Sequence, residues 1–280
     1  MSKINFWSFY KTVWWWEWDK CYYPTRLDTY WQGCSHDCSY CYAKSLLDFR
    51  KMRKPHNPKF IDLKKAYKII AKIPQNQITR LGWMTDCFQP VEKTHEITYN
   101  VLKVFNYYKK EYLIVTKSDL VASDKYLDVL DKNLAHIQIS ITSTEDDIAK
   151  KYEKAPLISQ RIKAIEKLQK LGYDVQVRLS PFIPEYINYE KLNNIKCDKI
   201  LIEFLRVNHR IKKRFNIDYS NYTLKEWWYK HLPLTKKKKY LRYIQDFKEE
   251  TICEDVKKHY NHRQNNYNAN ENDCCNLKQF

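Results

Sequence analysis

Hydrophobic and polar positions follow two alternating patterns between about residues 29 and 204. Short apolar or alternating runs predict strands, and longer runs with apolar residues three or four apart predict helices between them. The predicted strands cover residues 29–32, 77–84, 112–116, 137–141, 173–180 and 199–204. The predicted helices cover residues 43–53, 62–73, 94–109, 118–131 and 159–171. Asp62 suits a helix N-cap, and Gly172 suits a left-handed C-terminal position.

This alternation predicts an α/β fold with a parallel sheet and right-handed crossovers. Six strands are fewer than the eight of a full TIM barrel, so we expect a partial (β/α)6 TIM-type barrel over residues 29–208. Residues 1–28 form an aromatic N-terminal segment, interpreted as a plug under the barrel floor or along its open edge. A base-stacking platform is the alternative. Residues 209–280 are predicted to be a basic, mainly helical C-terminal extension.

Charge is unevenly distributed in this chain, whose formal net charge is +17. Twelve basic residues and only two acidic ones lie between Arg206 and Arg242. A basic balance favours a polyanionic partner, and nucleic acid comes first. Trp227 and Trp228 lie among these lysines, a pattern typical of proteins that bind single-stranded or flipped-out nucleic acid. A solvated, lysine-rich cap over the barrel is an equal alternative.

Two features bear on the cellular setting. No apolar segment approaches the roughly 18 residues that span a membrane, and the first residues do not resemble a secretory signal. Nine cysteines in such a chain suggest reduced thiols and metal binding rather than disulfides. We therefore expect a cytoplasmic protein with no membrane partner.

Three of these cysteines, Cys34, Cys38 and Cys41, occupy eight residues with the spacing C-x3-C-x2-C. Thiolates select zinc, copper(I) or iron–sulfur clusters. A structural zinc site normally needs four protein ligands, whereas a [4Fe-4S] cluster held by three cysteines keeps one iron open. A Cys3His zinc site that uses His36 is a weaker alternative, and disulfides among adjacent thiols are weaker still.

The surrounding sequence, G-C-x-H-x-C-x-Y-C-Y-A, resembles the radical S-adenosylmethionine (radical SAM) superfamily, and within it the spore photoproduct lyase branch. The resemblance implies that Cys34, Cys38 and Cys41 bind a [4Fe-4S] cluster whose open iron binds S-adenosylmethionine (SAM). It also implies one-electron cleavage of SAM to methionine and a 5′-deoxyadenosyl radical. An electron donor such as flavodoxin or ferredoxin would then be a partner.

The resemblance continues to about residue 190 through short motifs after the strands. Thr85, Lys117 and Ser140 match positions that contact SAM in the family. Asp86 matches a T-D-x-x-Q-P-x-E motif, and Arg161 matches the end of an E-P-x-A-P…R element. The resemblance therefore implies that all five residues belong to the cofactor-binding site.

The match is poorer for the residues that would return hydrogen to a substrate. Tyr40 and Tyr42 flank Cys41 as in the family, but the family's hydrogen-donating cysteine falls on Trp83. The nearest thiol, Cys87, is either a substitute or a buried cysteine. We therefore do not expect repair of spore photoproduct. The prediction is a radical SAM enzyme that repairs or modifies a nucleic acid base.

Two alternative functions stay open at this point. One is a radical SAM enzyme that acts on a peptide or a small molecule. The other is a non-catalytic, zinc-stabilised nucleic-acid-binding protein. A second group of cysteines, Cys253, Cys274 and Cys275, leaves a second metal site open as well.

Overall fold

The computed structural model describes residues 9–11, 23, 25–267 and 273–277. Most of the aromatic segment predicted as a plug lies outside these residues. The strands are β1 (Phe9–Lys11), β2 (Thr25–Leu27), β3 (Tyr30–Trp31), β4 (Lys59–Phe60), β5 (Thr79–Leu81), β6 (Tyr112–Thr116), β7 (Ala135–Ile141), β8 (Asp174–Phe182), β9 (Lys199–Phe204), β10 (Leu224–Glu226), β11 (Tyr229–His231) and β12 (Glu249–Ile252).

Helices connect most of these strands. They are α1 (Tyr42–Phe49), α2 (Leu63–Ile70), α3 (Glu92–His95), α4 (Ile97–Tyr107), α5 (Asp124–Leu127), α6 (Asp146–Ala149), α7 (Ile158–Lys170), α8 (Tyr189–Asn193), α9 (His209–Arg214), α10 (Leu234–Leu241) and α11 (Tyr260–Asn266). Short 3-10 turns cover Asp119–Ala122, Pro184–Tyr186 and Lys257–His259.

One sheet dominates the described part of the chain, with the strand order β1-β2-β5-β6-β7-β8-β9-β12. β1 pairs antiparallel with β2, and the other seven strands run parallel. The predicted α/β class is confirmed, and the open parallel sheet is compatible with a partial barrel. Strands 112–116 and 199–204 have the predicted bounds.

Several predicted elements are wrong in detail. The first parallel strand of the main sheet is β2, not residues 29–32, since β3 pairs with β4 in a small separate sheet. The helix predicted over 94–109 is broken at Glu96, whose φ is 52°. The carboxylate of Glu92 explains the break, because it accepts hydrogen bonds from the backbone N–H groups of Thr98 and Tyr99, both at 2.9 Å, and so caps α4.

In the C-terminal extension, as predicted, helices cover more residues of the described part than strands do: His209–Arg214, Leu234–Leu241 and Tyr260–Asn266. The extension also forms the β10–β11 hairpin and supplies β12, which pairs parallel with β9 as the seventh strand of the parallel set. β9 is therefore not the last strand. One lysine of the basic run 236–239, Lys237, is buried in an ion pair with Glu254 at 2.6 Å.

Residues 273–277 fill the inner face of the sheet. Cys274, Cys275 and Leu277 form an apolar cluster with side chains of β6 and β9, and Tyr23 joins it. The backbone of this segment is also held, since the carbonyl of Cys274 accepts from Thr251 Oγ1 at 3.1 Å. One short segment thus contacts strands that are three positions apart in the sheet.

Gly82, which follows β5, is needed for close packing. Its φ is 84°, and a Cβ there would lie 2.4 Å from the carbonyl oxygen of Val115. We expect Gly82→Ala to lower the free energy of unfolding by about 2–4 kcal/mol, because left-handed strain adds to a backbone clash. Chemical denaturation measures this loss.

Gly172→Ala is the matched control. Gly172 has a φ of 77°, but nothing lies within 4 Å of its added Cβ. Only the left-handed strain remains, so the expected loss is about 1 kcal/mol. Equal losses for the two variants would show that the clash at Gly82 contributes nothing.

Candidate active site

A cavity of about 690 Å³ lies at the carboxyl ends of the parallel strands. This is the edge of α/β folds where the loops after the strands meet. Nine of the eleven residues predicted as site residues line it: Cys34, Cys38, Tyr40, Cys41, Tyr42, Thr85, Asp86, Lys117 and Ser140. The structure thus gathers residues that are up to about a hundred positions apart in sequence.

The loop that carries the three cysteines is held in shape by its neighbours. A Cβ on Gly33 would lie 2.8 Å from the Cα of Pro55, so a larger residue does not fit there. Gln89 fastens the loop from the other side, since its side chain accepts from Ser35 N at 3.1 Å and donates to Gly33 O at 3.3 Å. Asp37 has a φ of 47° and is fixed by Lys44 and Arg53.

The three thiols face one cavity. Cys41 is also the N-cap of α1, and its Sγ accepts from Lys44 N at 3.4 Å. Burial raises the pKa of both the Cys38 and the Cys41 thiols. A metal cluster supplies the positive charge that ionised thiolates need at such a buried position.

The donor set fits a [4Fe-4S] cluster, because three soft ligands on one loop face an open cavity that can receive a further ligand. Throughout the described residues, no three Cys, His, Asp or Glu side chains are grouped so that they could hold a single metal ion.

Asp86 joins the cysteine loop to the end of β6. Its carboxylate accepts from Thr116 Oγ1 at 2.7 Å and from Lys117 N at 2.6 Å, and it lies 3.3 Å from His36 Nδ1. Burial alone would raise the pKa of Asp86, but the charge of His36 and these hydrogen bonds lower it to about 2. Both oxygens therefore have protein partners, and Asp86 positions the loop and strand.

The other matched positions lie on adjacent strand ends. The hydroxyl of Thr85 donates to the carbonyl of Tyr30, which orients this side chain toward the protein. Lys117 Nζ donates to Ser180 O at 3.2 Å and lies 5.6 Å from the centre of the Tyr40 ring. Ser140 is buried at the end of β7 and borders the same cavity. Their contacts with SAM stay predictions.

Arg161 and Cys87 do not border the cavity, which corrects two expectations. Arg161 is fully buried and donates to Pro156 O at 2.8 Å, to Ser140 O at 3.1 Å and to Glu153 Oε1 at 2.5 Å. It therefore supports the wall instead of contacting a bound cofactor. Cys87 is 0% exposed within the apolar core, where its thiol has no access to a substrate in the cavity.

The two tyrosines of the cysteine loop have protein partners for their hydroxyl groups. Tyr40 donates to the carboxylate of Glu153, and Tyr42 donates to Trp83 O at 3.1 Å. Burial raises the pKa of both phenols, so both stay protonated at neutral pH. Their part in hydrogen transfer stays a prediction.

Sequence reasoning missed the part of the cavity wall that lies at the C-terminal end of the chain. The C-terminal extension supplies residues to it, including Trp227, Cys253 and Asp255. Arg206 stacks 4.7 Å from the centre of the Tyr42 ring and pairs with Asp255 at 3.3 Å. Cys253 and Asp255 belong to the site because β12 returns the chain to the sheet, which no local pattern in the extension indicated.

The fold and the cysteine loop define a class of protein, and comparison confirms it. Residues 29–196, more than half of the chain, match the family model described as the radical SAM superfamily. The chain therefore belongs to this superfamily, whose members use a [4Fe-4S] cluster and SAM.

Individual relatives add detail. An uncharacterised protein of Methanocaldococcus jannaschii is 30% identical over 165 residues, which are 56% of this chain and 60% of the relative. This chain thus matches less than two thirds of that protein. A Cys-to-Ser variant of spore photoproduct lyase has a TM-score of 0.63 at 17% identity, over 87% of this chain and 78% of the other.

A second spore photoproduct lyase variant, with bound SAM and a dinucleoside spore photoproduct, has a TM-score of 0.60, also at 17% identity, over the same 87% and 78%. At this identity the likeness concerns the fold. In the described residues no helix has the length and apolar character needed to cross a membrane.

The Glu153–Arg161 pair beneath the site gives a stability prediction. Both side chains are essentially inaccessible, at 1% and 0% exposure. Glu153→Gln leaves the buried Arg161 charge uncompensated, so we expect the free energy of unfolding to fall by about 3–5 kcal/mol in chemical denaturation.

Asp147→Asn is the control for this prediction. Asp147 pairs with Lys150 at 3.3 Å, but it is 93% exposed. Its loss should change the free energy of unfolding by less than about 1 kcal/mol. A similarly small change for Glu153→Gln would contradict the assigned role of the buried pair.

Proposed function

We propose that this protein binds its cluster through Cys34, Cys38 and Cys41 and uses it to cleave SAM within the strand-end cavity. The observation that carries the proposal is the convergence of the three thiols with the matched strand-end residues on one cavity. The cluster and SAM, when bound, supply a 5′-deoxyadenosyl radical, and every other contribution comes from the protein.

The protein's own groups would orient the cofactor and shield it. Lys117 presents an ammonium at the end of β6, a good partner for a carboxylate. Ser140 on β7 and Thr85 in the loop after β5 border the cavity beside it. The buried core beneath the cavity limits water, which matters because a reactive radical attacks any nearby C–H bond. The reductant is an electron carrier of the flavodoxin or ferredoxin type.

We propose nucleic acid as the substrate class, with repair or modification of a base as the reaction. The β10–β11 hairpin carries Trp227 and Trp228 at its tip, and Trp227 borders the cavity. Trp228 is 85% exposed, which is unusual for so large an apolar side chain. An exposed ring beside a cationic cavity is suited to stack a base. Lys212 and Lys213 are exposed on the same extension.

Two further expectations belong to this proposal. The described cysteines are all free thiols, as expected of a protein that functions in the reducing cytoplasm. The domain limits are proposed as a barrel over residues 29–208, to which β2 (Thr25–Leu27) adds a strand, followed by an extension that completes both its sheet and its active site.

Anaerobic reconstitution with iron and sulfide tests the cluster and its ligands. With dithionite and SAM, the wild type should form 5′-deoxyadenosine. Cys34→Ala, Cys38→Ala and Cys41→Ala should each reduce this product to background, because two thiols do not hold the cluster. Liquid chromatography measures the product, and visible absorbance measures the cluster.

Cys197→Ala is the control, since Cys197 is a buried thiol that donates to Val175 O and lies away from the cavity. This variant should form 5′-deoxyadenosine and show the visible absorbance of the cluster as the wild type does. Zinc binding without iron or sulfide, together with no 5′-deoxyadenosine, would instead establish the zinc-stabilised binding protein.

Trp228→Ala tests the substrate class. If Trp228 stacks a base, the variant should bind a single-stranded oligonucleotide about 10-fold more weakly, in fluorescence anisotropy at low salt. Affinity of the wild type should fall steeply as salt rises.

Tyr107→Ala provides the comparison, because Tyr107 is also strongly exposed, at 73%, but lies on α4 outside the cavity. The affinity of this variant for the oligonucleotide should equal that of the wild type. No binding by the wild type at low salt would favour a peptide or small-molecule substrate.

A further inference from the structure

Two arginines form a pair on the wall of the cavity. Arg26 in β2 and Arg80 in β5 are direct partners in the parallel register, and both border the cavity. The residues that follow them, Leu27 and Leu81, are 0% exposed in the main apolar core. Because side chains alternate along a strand, the two guanidinium groups project side by side on the inner face.

Neither guanidinium has a hydrogen bond or an ion pair within the described residues, and the Nε of each is buried without a partner. The carboxylates whose charge reaches Arg80 are already engaged. Asp28 accepts from the backbone N–H groups of Trp83 and Met84, at 2.8 and 3.1 Å. Glu203 pairs with Arg178 and accepts from Ser180 Oγ at 2.8 Å.

Other cations on this wall behave differently. Arg178 and Arg206 each have a carboxylate partner, Glu203 and Asp255. Two adjacent positive charges in a partly buried wall repel each other and are costly to desolvate, so such an arrangement favours an anion from outside. Trp83 helps to shape the pair, since its ring centre lies 4.9 Å from Arg26 Cζ.

We propose that Arg26 and Arg80 bind a phosphate group of the substrate. This inference rests on the proposed function and specifies where that substrate is held. Two planar guanidinium forks offer several N–H donors, and a tetrahedral phosphate offers acceptor oxygens to both. The phosphate belongs either to a phosphodiester of a nucleic acid or to the phosphomonoester of a nucleotide.

Binding of small probes to the full-length holoenzyme tests this site. The probes are the dinucleoside phosphodiester TpT, its neutral methylphosphonate analogue, and thymidine 5′-monophosphate, measured by calorimetry. We expect TpT or the monophosphate to bind, and the tighter of the two identifies the source of the phosphate. If the phosphodiester binds more tightly, the methylphosphonate should bind at least about 10-fold more weakly than TpT, because its uncharged group forms weaker hydrogen bonds.

Arg26→Gln and Arg80→Gln should each lower the affinity for the preferred phosphate probe by about 10-fold or more. In the double variant, the fold decrease in affinity should be smaller than the product of the two single decreases, because both guanidinium groups contact one phosphate. Arg242→Gln removes one charge from an exposed side chain outside the cavity and should change affinity less than twofold. Thermal unfolding of each variant shows whether it is folded.

Three results would contradict the proposed site. In the first, neither charged probe binds to the wild type. In the second, the cavity variants change probe affinity no more than Arg242→Gln does, and in the third, SAM fully displaces the probe. The last would assign the pair to the cofactor. Formation of 5′-deoxyadenosine by the same wild-type preparation separates the two proposals: if it forms while no probe binds, only this inference fails.

Discussion

The carboxylate of Asp86 is the contact on which the arrangement of the active site depends most. It holds His36 of the cysteine loop on one side and the first residues after β6 on the other. Because this buried group contacts both the loop and the end of β6, it helps to fix the positions of the thiols relative to Lys117. Its low pKa, about 2, means that the carboxylate keeps its charge over the whole physiological range.

Three other buried carboxylates act in the same way. Asp28 binds the backbone that follows β5, Glu92 caps α4, and Glu153 joins Tyr40 to Arg161. The chain has only three glycines, and eight non-glycine residues of the described part adopt a positive φ. Turns of this kind are strained, so they persist only where surrounding contacts fix them. At Glu96, for example, the carboxylate of Glu92 fixes the turn by capping the helix that follows.

Features formed by residues close together in sequence were predicted more accurately than features formed by distant residues. The cysteine loop was predictable because its ligands lie within eight residues, and β6 and β9 were predictable because mostly apolar runs form them. The strand β2 was missed, since Thr-Arg-Leu looks too short and too polar, although the same three residues recur in β5. Both strands can contain a polar arginine because its side chain faces the cavity instead of the apolar core.

The wall contributed by the C-terminal extension was beyond local patterns. The strand β12 begins with Glu249 and Glu250, which do not suggest a strand of a parallel sheet. Its pairing with β9 depends on contacts between residues about fifty positions apart. A sequence pattern could have indicated that Arg206 or Asp255 matters, but not that they border the same cavity as the cysteine loop.

Trp83 shows why a shared fold does not carry a shared reaction. It occupies the position where resemblance to spore photoproduct lyase places a hydrogen-donating cysteine, and here it borders the cavity and stacks with Arg26. Cys87, the nearest thiol in sequence, is enclosed in the core. The same position thus places an aromatic ring beside a cationic wall instead of supplying a thiol. Substrate recognition in this protein must therefore be argued from its own wall residues.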